Sequence, residues 1–291
     1  MKFPRRAHAL IAALVLLAAA SAAGWLVRLP LVLHDGTSEI NGRVVVTEEG
    51  GERTLRFSAD GPRQSVIRVG KPHELALPYT RAAMTALGLV PEPKRVLIIG
   101  LGGGAMAMFL RTLFPNVEID GVDIDPAVVS VAQQHLGLKL DAKLRAIVAD
   151  GRKFTESSPG GYDLIFLDAY GDAEPPKHLM TVEFLAAARK KLSPTGLAVA
   201  NVWSSADNKY YSDVVRTWEN AFTALCVVDV QMATNTIFLA RADGKAIADL
   251  PGRAAAFKKT RALTFDLSEE AKSGCVPQRP GGRILRDAEF K

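Results

Sequence analysis

Residues 95–125 read RVLIIGLGGGAMAMFLRTLFPNVEIDGVDID, and this stretch decides the fold. An apolar run at 96–99 stops on a glycine cluster, Gly100, Gly102, Gly103 and Gly104. A segment with helical spacing follows, and a second apolar run ends on Asp123 and Asp125. Strand, glycine turn, helix and a strand with a terminal acid are the parts from which an open α/β sheet builds a nucleoside site. Glycines lack the Cβ that would keep the backbone away from a ligand. The spacing matches G-x-G-x-x-G with Ala105 in the last place. Asp123 and Asp125 fall on one face of a strand, because side chains alternate with a period of two. Asp125 precedes Pro126 and suits the cap of the next helix, which leaves Asp123 to accept hydrogen bonds from ribose hydroxyls.

Outward from this unit the alternation continues. We expect strands at 95–99, 118–122, 144–148, 163–167 and 197–202, and helices at 105–113, 127–136, 181–192 and 209–225. Two further strand-like runs, 226–232 and 236–240, are joined by a short turn and read as an antiparallel hairpin at the sheet edge. The fold class is therefore α/β, a mostly parallel Rossmann-like sheet of the class I methyltransferase type. Ahead of it, 37–69 reads as short strands separated by glycine turns, a small β-domain, and 76–89 has apolar residues at helical spacing. The expected organisation is residues 1–35 as signal peptide or membrane anchor, 36–75 as small β-domain, 76–245 as nucleoside-binding catalytic domain, and 246–291 as a helix and loose tail.

The first segment carries Lys2, Arg5 and Arg6 ahead of an uncharged apolar stretch at 9–27. That length is close to the roughly 20 residues that span a bilayer, and the small residues Ala20 to Ala23 also fit a cleavage site. Signal peptide and anchor both stand, and both place the rest of the chain outside the cytoplasm. A cytoplasmic location with this segment as a buried helix is the third reading.

Composition narrows the function. A chain of 291 residues with 48% hydrophobic and 23% charged content has enough apolar material for a globular core. The formal net charge of +5 is spread along the sequence without a basic block, so no nucleic-acid partner is expected. Cys226 and Cys275 show no C-x-x-C spacing, and His8, His34, His73, His135 and His178 show no ligand spacing, so no metal is expected. The two cysteines either pair, if the chain is exported, or stay unconnected thiols. No G-x-S-x-G supports a hydrolase triad.

Acids recur at the ends of the expected strands, where open sheets bind ligands. Asp150 with Gly151 ends the third, and that acid suits the exocyclic amine of an adenine or the cap of a helix. Asp168 ends the fourth, in YDLIFLDAYGD. Asp172 lies four residues on and suits a shared hold on a cationic substrate or a proton-transfer task. Tyr170, between them, suits a pocket wall. Trp203 reads as core.

These residues together resemble the spermidine synthase family, the polyamine aminopropyltransferases, over about residues 55–240. The segments RQSVIRV, LPYTRAAM, PKRVLIIGLGGG, VEIDGVDID, ADGRKF and YDLIFLDAY carry the resemblance. It implies a small β-domain ahead of a Rossmann-like catalytic domain. It also implies transfer of the aminopropyl group of decarboxylated S-adenosylmethionine to a small-molecule amine, and commonly a homodimer or tetramer. By resemblance, Gln64 and Tyr79 match binding-site residues, Asp123 the ribose ligand and Asp150 the adenine contact. Asp168 matches the base that deprotonates the attacking amine.

The departures are informative. The family's loop is G-G-G-D-G, and Gly103 stands where its acid should be. The family's Y-H-E reads Tyr79-Thr80-Arg81, and its D-S-S-D-P reads Asp168-Ala169-Tyr170-Gly171-Asp172. Fewer acids and an added Arg81 imply a less cationic ligand. Ordinary S-adenosylmethionine carries a carboxylate that the N–H groups of GLGGG would suit, so methyl transfer is the alternative expectation. A non-catalytic exported binding module on the same fold is the second alternative.

Overall fold

The computed structural model describes residues 30–171 and 175–290. The apolar segment at 9–27 and Asp172 lie outside the described residues. Among the described residues no helix is long and apolar enough to cross a membrane.

Four strands come first: β1 (Leu31–Ser38), β2 (Gly42–Glu49), β3 (Glu52–Arg56) and β4 (Ser65–Arg68) form one sheet in that order. The helix α1 (Pro78–Ala83) follows and tightens into a 3-10 turn at Met84–Gly88. Pro78 opens α1, where its missing N–H costs nothing.

The second sheet is built from β5 (Arg95–Ile99), β6 (Glu118–Asp123), β7 (Leu144–Val148), β8 (Tyr162–Leu167), β9 (Leu192–Trp203), β10 (Cys226–Asp229) and β11 (Asn235–Arg241). Their order is β10-β11-β9-β8-β5-β6-β7. β5 pairs in parallel with both β6 and β8, and β8 with β9, while β11 runs antiparallel to β9 and β10. The α/β class, the parallel sheet and the antiparallel edge hairpin are thus as expected. The stretch 192–196, between the expected helix and strand, is drawn into β9 as an irregularity, since Tyr162 faces Leu192 and Leu164 already faces Leu197.

Helices cover both faces of this sheet. β5 shows why: Val96 and Ile98 point to one side, Leu97 and Ile99 to the other, and all four are buried. On the first side they meet α2 (Ala105–Leu113), α3 (Pro126–His135) and α7 (Leu250–Thr260), through Leu110, Val131 and Phe257. On the second side they meet α5 (Val182–Lys191) and α6 (Tyr211–Phe222), through Phe184, Trp218 and Phe222. A fully buried side chain of this size contributes roughly 1.5–3 kcal/mol. Two short helices go beyond the sequence-based expectation: α4 (Gly151–Ser157), which starts directly at Asp150, and one at Leu267–Glu270.

The tail is not loose. After α8 (Leu267–Glu270) the chain returns along the domain. The Val276 N–H donates to the Val227 carbonyl at 2.8 Å, and the Leu285 N–H to the Thr217 hydroxyl at 2.9 Å. Leu285 is buried, and Arg152 holds Asp287 through two hydrogen bonds of 2.7 and 2.6 Å. Gly, Pro, Lys and Arg predominate there, but one apolar plug and paired charges anchor the segment. Cys226 of β10 and Cys275 form a disulfide, which resolves the two readings of the pair.

Candidate functional site

The carboxyl ends of β5, β6, β7, β8 and β9 open on a cleft of about 840 Å³. Of the expected site residues, Gln64, Tyr79, Gly100, Gly102, Asp123, Asp150, Gly151, Asp168 and Tyr170 line it. Gly103 and Gly104 do not.

At the nucleoside end, Asp123 closes β6 beside the glycine turn. Its Oδ2 accepts hydrogen bonds from the Leu101 and Gly102 N–H groups, both at 3.1 Å, and its Oδ1 accepts one from Asp125 N–H at 3.0 Å. Burial pushes its carboxyl above the ordinary value, and these backbone donors oppose the shift. Asp125 is the helix cap expected of it, with its Oδ1 accepting from Ala127 N–H at 2.8 Å. It also holds the β1–β2 turn, through Ser38 and through Asn41 at 2.7 Å. Asp150 likewise caps α4 by accepting from Lys153 N–H at 2.9 Å, and its other oxygen lies 3.0 Å from His178 Nε2. That approach misses hydrogen-bond geometry, so His178 Nε2 has no partner there. Capping leaves Asp150 on the cleft wall, and the two readings of this acid are compatible.

Two glycines have different tasks. Gly100 has a φ of +91°, and a Cβ there would stand 2.2 Å from the Asp168 carbonyl oxygen. Its absence lets the ends of β5 and β8 lie together. Gly103, where an acid was expected by resemblance, would place a Cβ 2.5 Å from Ser65 Oγ. That position is packed against β4.

At the other end, Asp168 follows β8. Tyr79 donates its hydroxyl to Asp168 Oδ2 at 3.1 Å, and Asn201 donates its Nδ2 to Oδ1 at 2.8 Å. Burial raises the Asp168 carboxyl to about 7, with the two donors opposing the rise. The side chain lines the cleft between these two donors. Burial and the Asp168 charge push the Tyr79 phenol well above its ordinary value. Tyr170 donates to the Asn201 carbonyl at 2.7 Å and stacks on Trp203, with centroids 5.1 Å apart and planes at 19°. Trp203 is therefore cleft wall, a correction to its expected place in the core.

The sequence reading missed Asn201 and Asn235, which also line the cleft. Asn201 sits near the end of β9, one more strand terminus at the ligand edge, and that position was the available signal. Arg81 was expected near the ligand. Its Nε instead donates to Glu270 at 2.9 Å and its Nη1 to the Ala76 carbonyl at 3.1 Å, away from the cleft. The charged lining is Asp123, Asp150, Asp168 and Asp207 with Arg63. This balance is acidic and suits a cationic ligand, against the inference drawn from Arg81.

The residues fit an adenosyl sulfonium. Asp123 and Asp150 stand at adjacent strand ends, and the glycine turn leaves open space at Gly102, where a Cβ would meet nothing closer than 3.8 Å. Among the described residues no cluster of His, Cys, Asp or Glu is arranged to hold a metal ion.

Comparison with known proteins agrees with this geometry. The polyamine aminopropyltransferase of Vibrio vulnificus is 33% identical over 197 residues, covering 66% of this chain and 65% of that protein. The chain thus spans just under two thirds of that relative's length. An eEF1A lysine and N-terminal methyltransferase homolog of Drosophila melanogaster is 25% identical over 222 residues, covering 71% of this chain and 32% of that protein. The crystal structure of a probable spermidine synthase from Corynebacterium glutamicum superposes with a TM-score of 0.66 at 20% identity, covering 89% of this chain and 99% of that one, and so shares the fold. Residues 79–240 match the family model described as the spermine/spermidine synthase domain, and this chain belongs to that family.

Proposed function

We propose that this chain transfers an aminopropyl group from decarboxylated S-adenosylmethionine to a small-molecule amine. The observation that carries the reading is Asp168, a carboxyl raised to about 7 on the wall of the cleft that holds Asp123 and Asp150. Asp123 would hold the ribose and Asp150 the adenine. When bound, the cofactor supplies a sulfonium-activated carbon whose sulfur leaves as a neutral thioether.

An alkylammonium has a pKa of about 10.4 and no lone pair for attack. Ionised Asp168 holds the ammonium and accepts its proton. The freed nitrogen pair forms the new N–C bond, while the C–S pair stays on sulfur. A base near 7 lies about three pKa units closer to the amine than an ordinary Asp does. That lowers the cost of the proton transfer by roughly 4 kcal/mol. Tyr79 and Asn201 keep enough of the carboxyl ionised for this role.

Methyl transfer from ordinary S-adenosylmethionine is the second reading. Gly103 favours it, because the loop lacks an acid for a free amine, and so does the methyltransferase relative. Calorimetry of residues 24–291 with the two cofactors separates the readings. Tighter binding of the decarboxylated form together with turnover on a diamine supports aminopropyl transfer. Tighter binding of the ordinary form supports methyl transfer. Absence of binding below millimolar concentrations removes both and leaves the non-catalytic module.

We also propose that the chain is exported or membrane-anchored through residues 9–27. The Cys226–Cys275 disulfide supports this, since such bonds persist in oxidising compartments. A topology reporter fused after Lys291 tests it, and a cytoplasmic signal would overturn it. Light scattering tests the homodimer that the family resemblance implies.

A further inference from the structure

The amide group of Asn201 can present either of two faces to Asp168, because its oxygen and nitrogen ends are nearly isosteric. Only the nitrogen end helps an anion, and the oxygen end would repel it. Something must select between them. Asn235, the first residue of β11, donates its Nδ2 to Asn201 Oδ1 at 2.8 Å. That contact occupies the oxygen end and turns the Asn201 Nδ2 toward Asp168 Oδ1, at 2.8 Å. β11 pairs with β9 so that Asn235 faces Trp203 and Ile237 faces Asn201, which keeps both side chains in register. The Asn201 backbone is held as well, by the Tyr170 hydroxyl on its carbonyl.

We propose that Asn235 is a positioning residue for the reaction: through Asn201 it fixes the amide face shown to Asp168 and so sets the protonation of the base. This rests on the aminopropyl-transfer reading for its catalytic meaning, but the relay is a property of the folded chain alone. Among the described residues Asn235 reaches Asp168 only through Asn201. The titratable groups that face Asp168 among the described residues are Tyr79 of α1 and Tyr170 of the loop after β8. Both are phenols that stay neutral across the range in which a carboxyl titrates. The cleft's other charged groups, Asp123, Asp150, Asp207 and Arg63, do not shift Asp168, whose carboxyl answers to burial, Asn201 and Tyr79.

The test is a carboxyl NMR titration of Asp168 in the full chain, assigned by its loss in Asp168→Asn. Asn235→Leu removes the donor without adding charge. The relay requires its Asp168 midpoint to rise by about half a unit or more, because the Asn201 amide is freed to rotate. In an Asn201→Leu background the same Asn235→Leu change must then add nothing. A midpoint unmoved by Asn235→Leu overturns the proposal, and so does an equal shift in both backgrounds. If Asn235→Leu does not fold, Asn235→Ala carries the same outcomes with no added bulk. In the active enzyme the acid limb of kcat/KM should move with the NMR midpoint, and a limb that stays while the midpoint moves overturns the catalytic role. Wild-type protein with no turnover on any amine defeats the aminopropyl reading and leaves the titration to decide the relay.

Discussion

The two ends of the cleft are built in different ways. The nucleoside end comes from one continuous piece of chain: β5, the glycine turn, α2, β6 and the acid that ends it. Its main contact, Asp123 to the Leu101 and Gly102 N–H groups, joins residues 22 and 21 positions apart. The Asp168 end gathers Tyr79, Asp168, Asn201 and Asn235 from α1, the loop after β8, β9 and β11, with separations of 89, 33 and 34. Asp123 is stabilised by backbone donors of the glycine turn rather than by side chains. Asp168 depends on two side-chain donors, each of which one substitution removes. Local chain geometry makes the first site robust, and tertiary packing makes the second adjustable.

The sharpest way to separate the ends is Asp168→Asn. Turnover should fall by about 10²–10⁴, while calorimetric affinity for the nucleoside cofactor stays within a few-fold. A parallel loss of cofactor affinity would mean that the two ends are not independent.

The disulfide probes how far the Asp168 end depends on distant support. It joins residues 49 apart and closes a loop worth at most about 4 kcal/mol. The segment it retains includes Glu270, which holds Arg81 two residues after Tyr79. Cys275→Ser, or reduction of the wild type, should lower the melting temperature by several degrees. It should also raise the amine KM more than the cofactor Kd. An equal effect on both constants would break the comparison.

Asp123→Ala should weaken cofactor binding by about 10- to 100-fold, the loss of hydrogen bonds to a charged acceptor. The Asp168 titration should not move.

The last effect is on pH dependence. Burial raises the Asp168 pKa in the folded chain to about 7, well above that of an ordinary carboxyl. Between those values the folded state binds more protons than the unfolded one. Stability therefore falls as pH rises through this window, and the loss is complete above about 7. Asp168→Asn should be relatively more stable than wild type at pH 8 than at pH 5, by thermal melts. On the proposed aminopropyl transfer, activity has the opposite slope, since Asp168 would work ionised: kcat/KM should rise with pH up to about 7.

Much of this was legible beforehand because its signals are local. A glycine cluster after an apolar run and an acid at the next strand end need no distant partner to be recognised. Asp150 and Asp168 were legible for the same reason, as carboxylates that stop apolar runs. Arg81 was misplaced because sequence proximity to Tyr79 does not say which side of a helix faces the cleft. Trp203 was misplaced because a large aromatic near a strand end fits core and wall equally well. The tail was misread because its composition outweighed the single apolar residue, Leu285, that plugs it in place.

What the chain's own order of residues determined is the sheet, its parallel sense and the acids at the ends of β6, β7 and β8. These follow from hydrophobic period and turn chemistry, which act over a few residues. Tertiary structure alone decided that the cysteines pair, that Arg81 turns away, that Gly103 is filled by Ser65, and that two asparagines stand behind the base. Each of these depends on strands brought side by side from distant parts of the chain, and a contact at 2.8 Å leaves no trace in the spacing of the residues that make it.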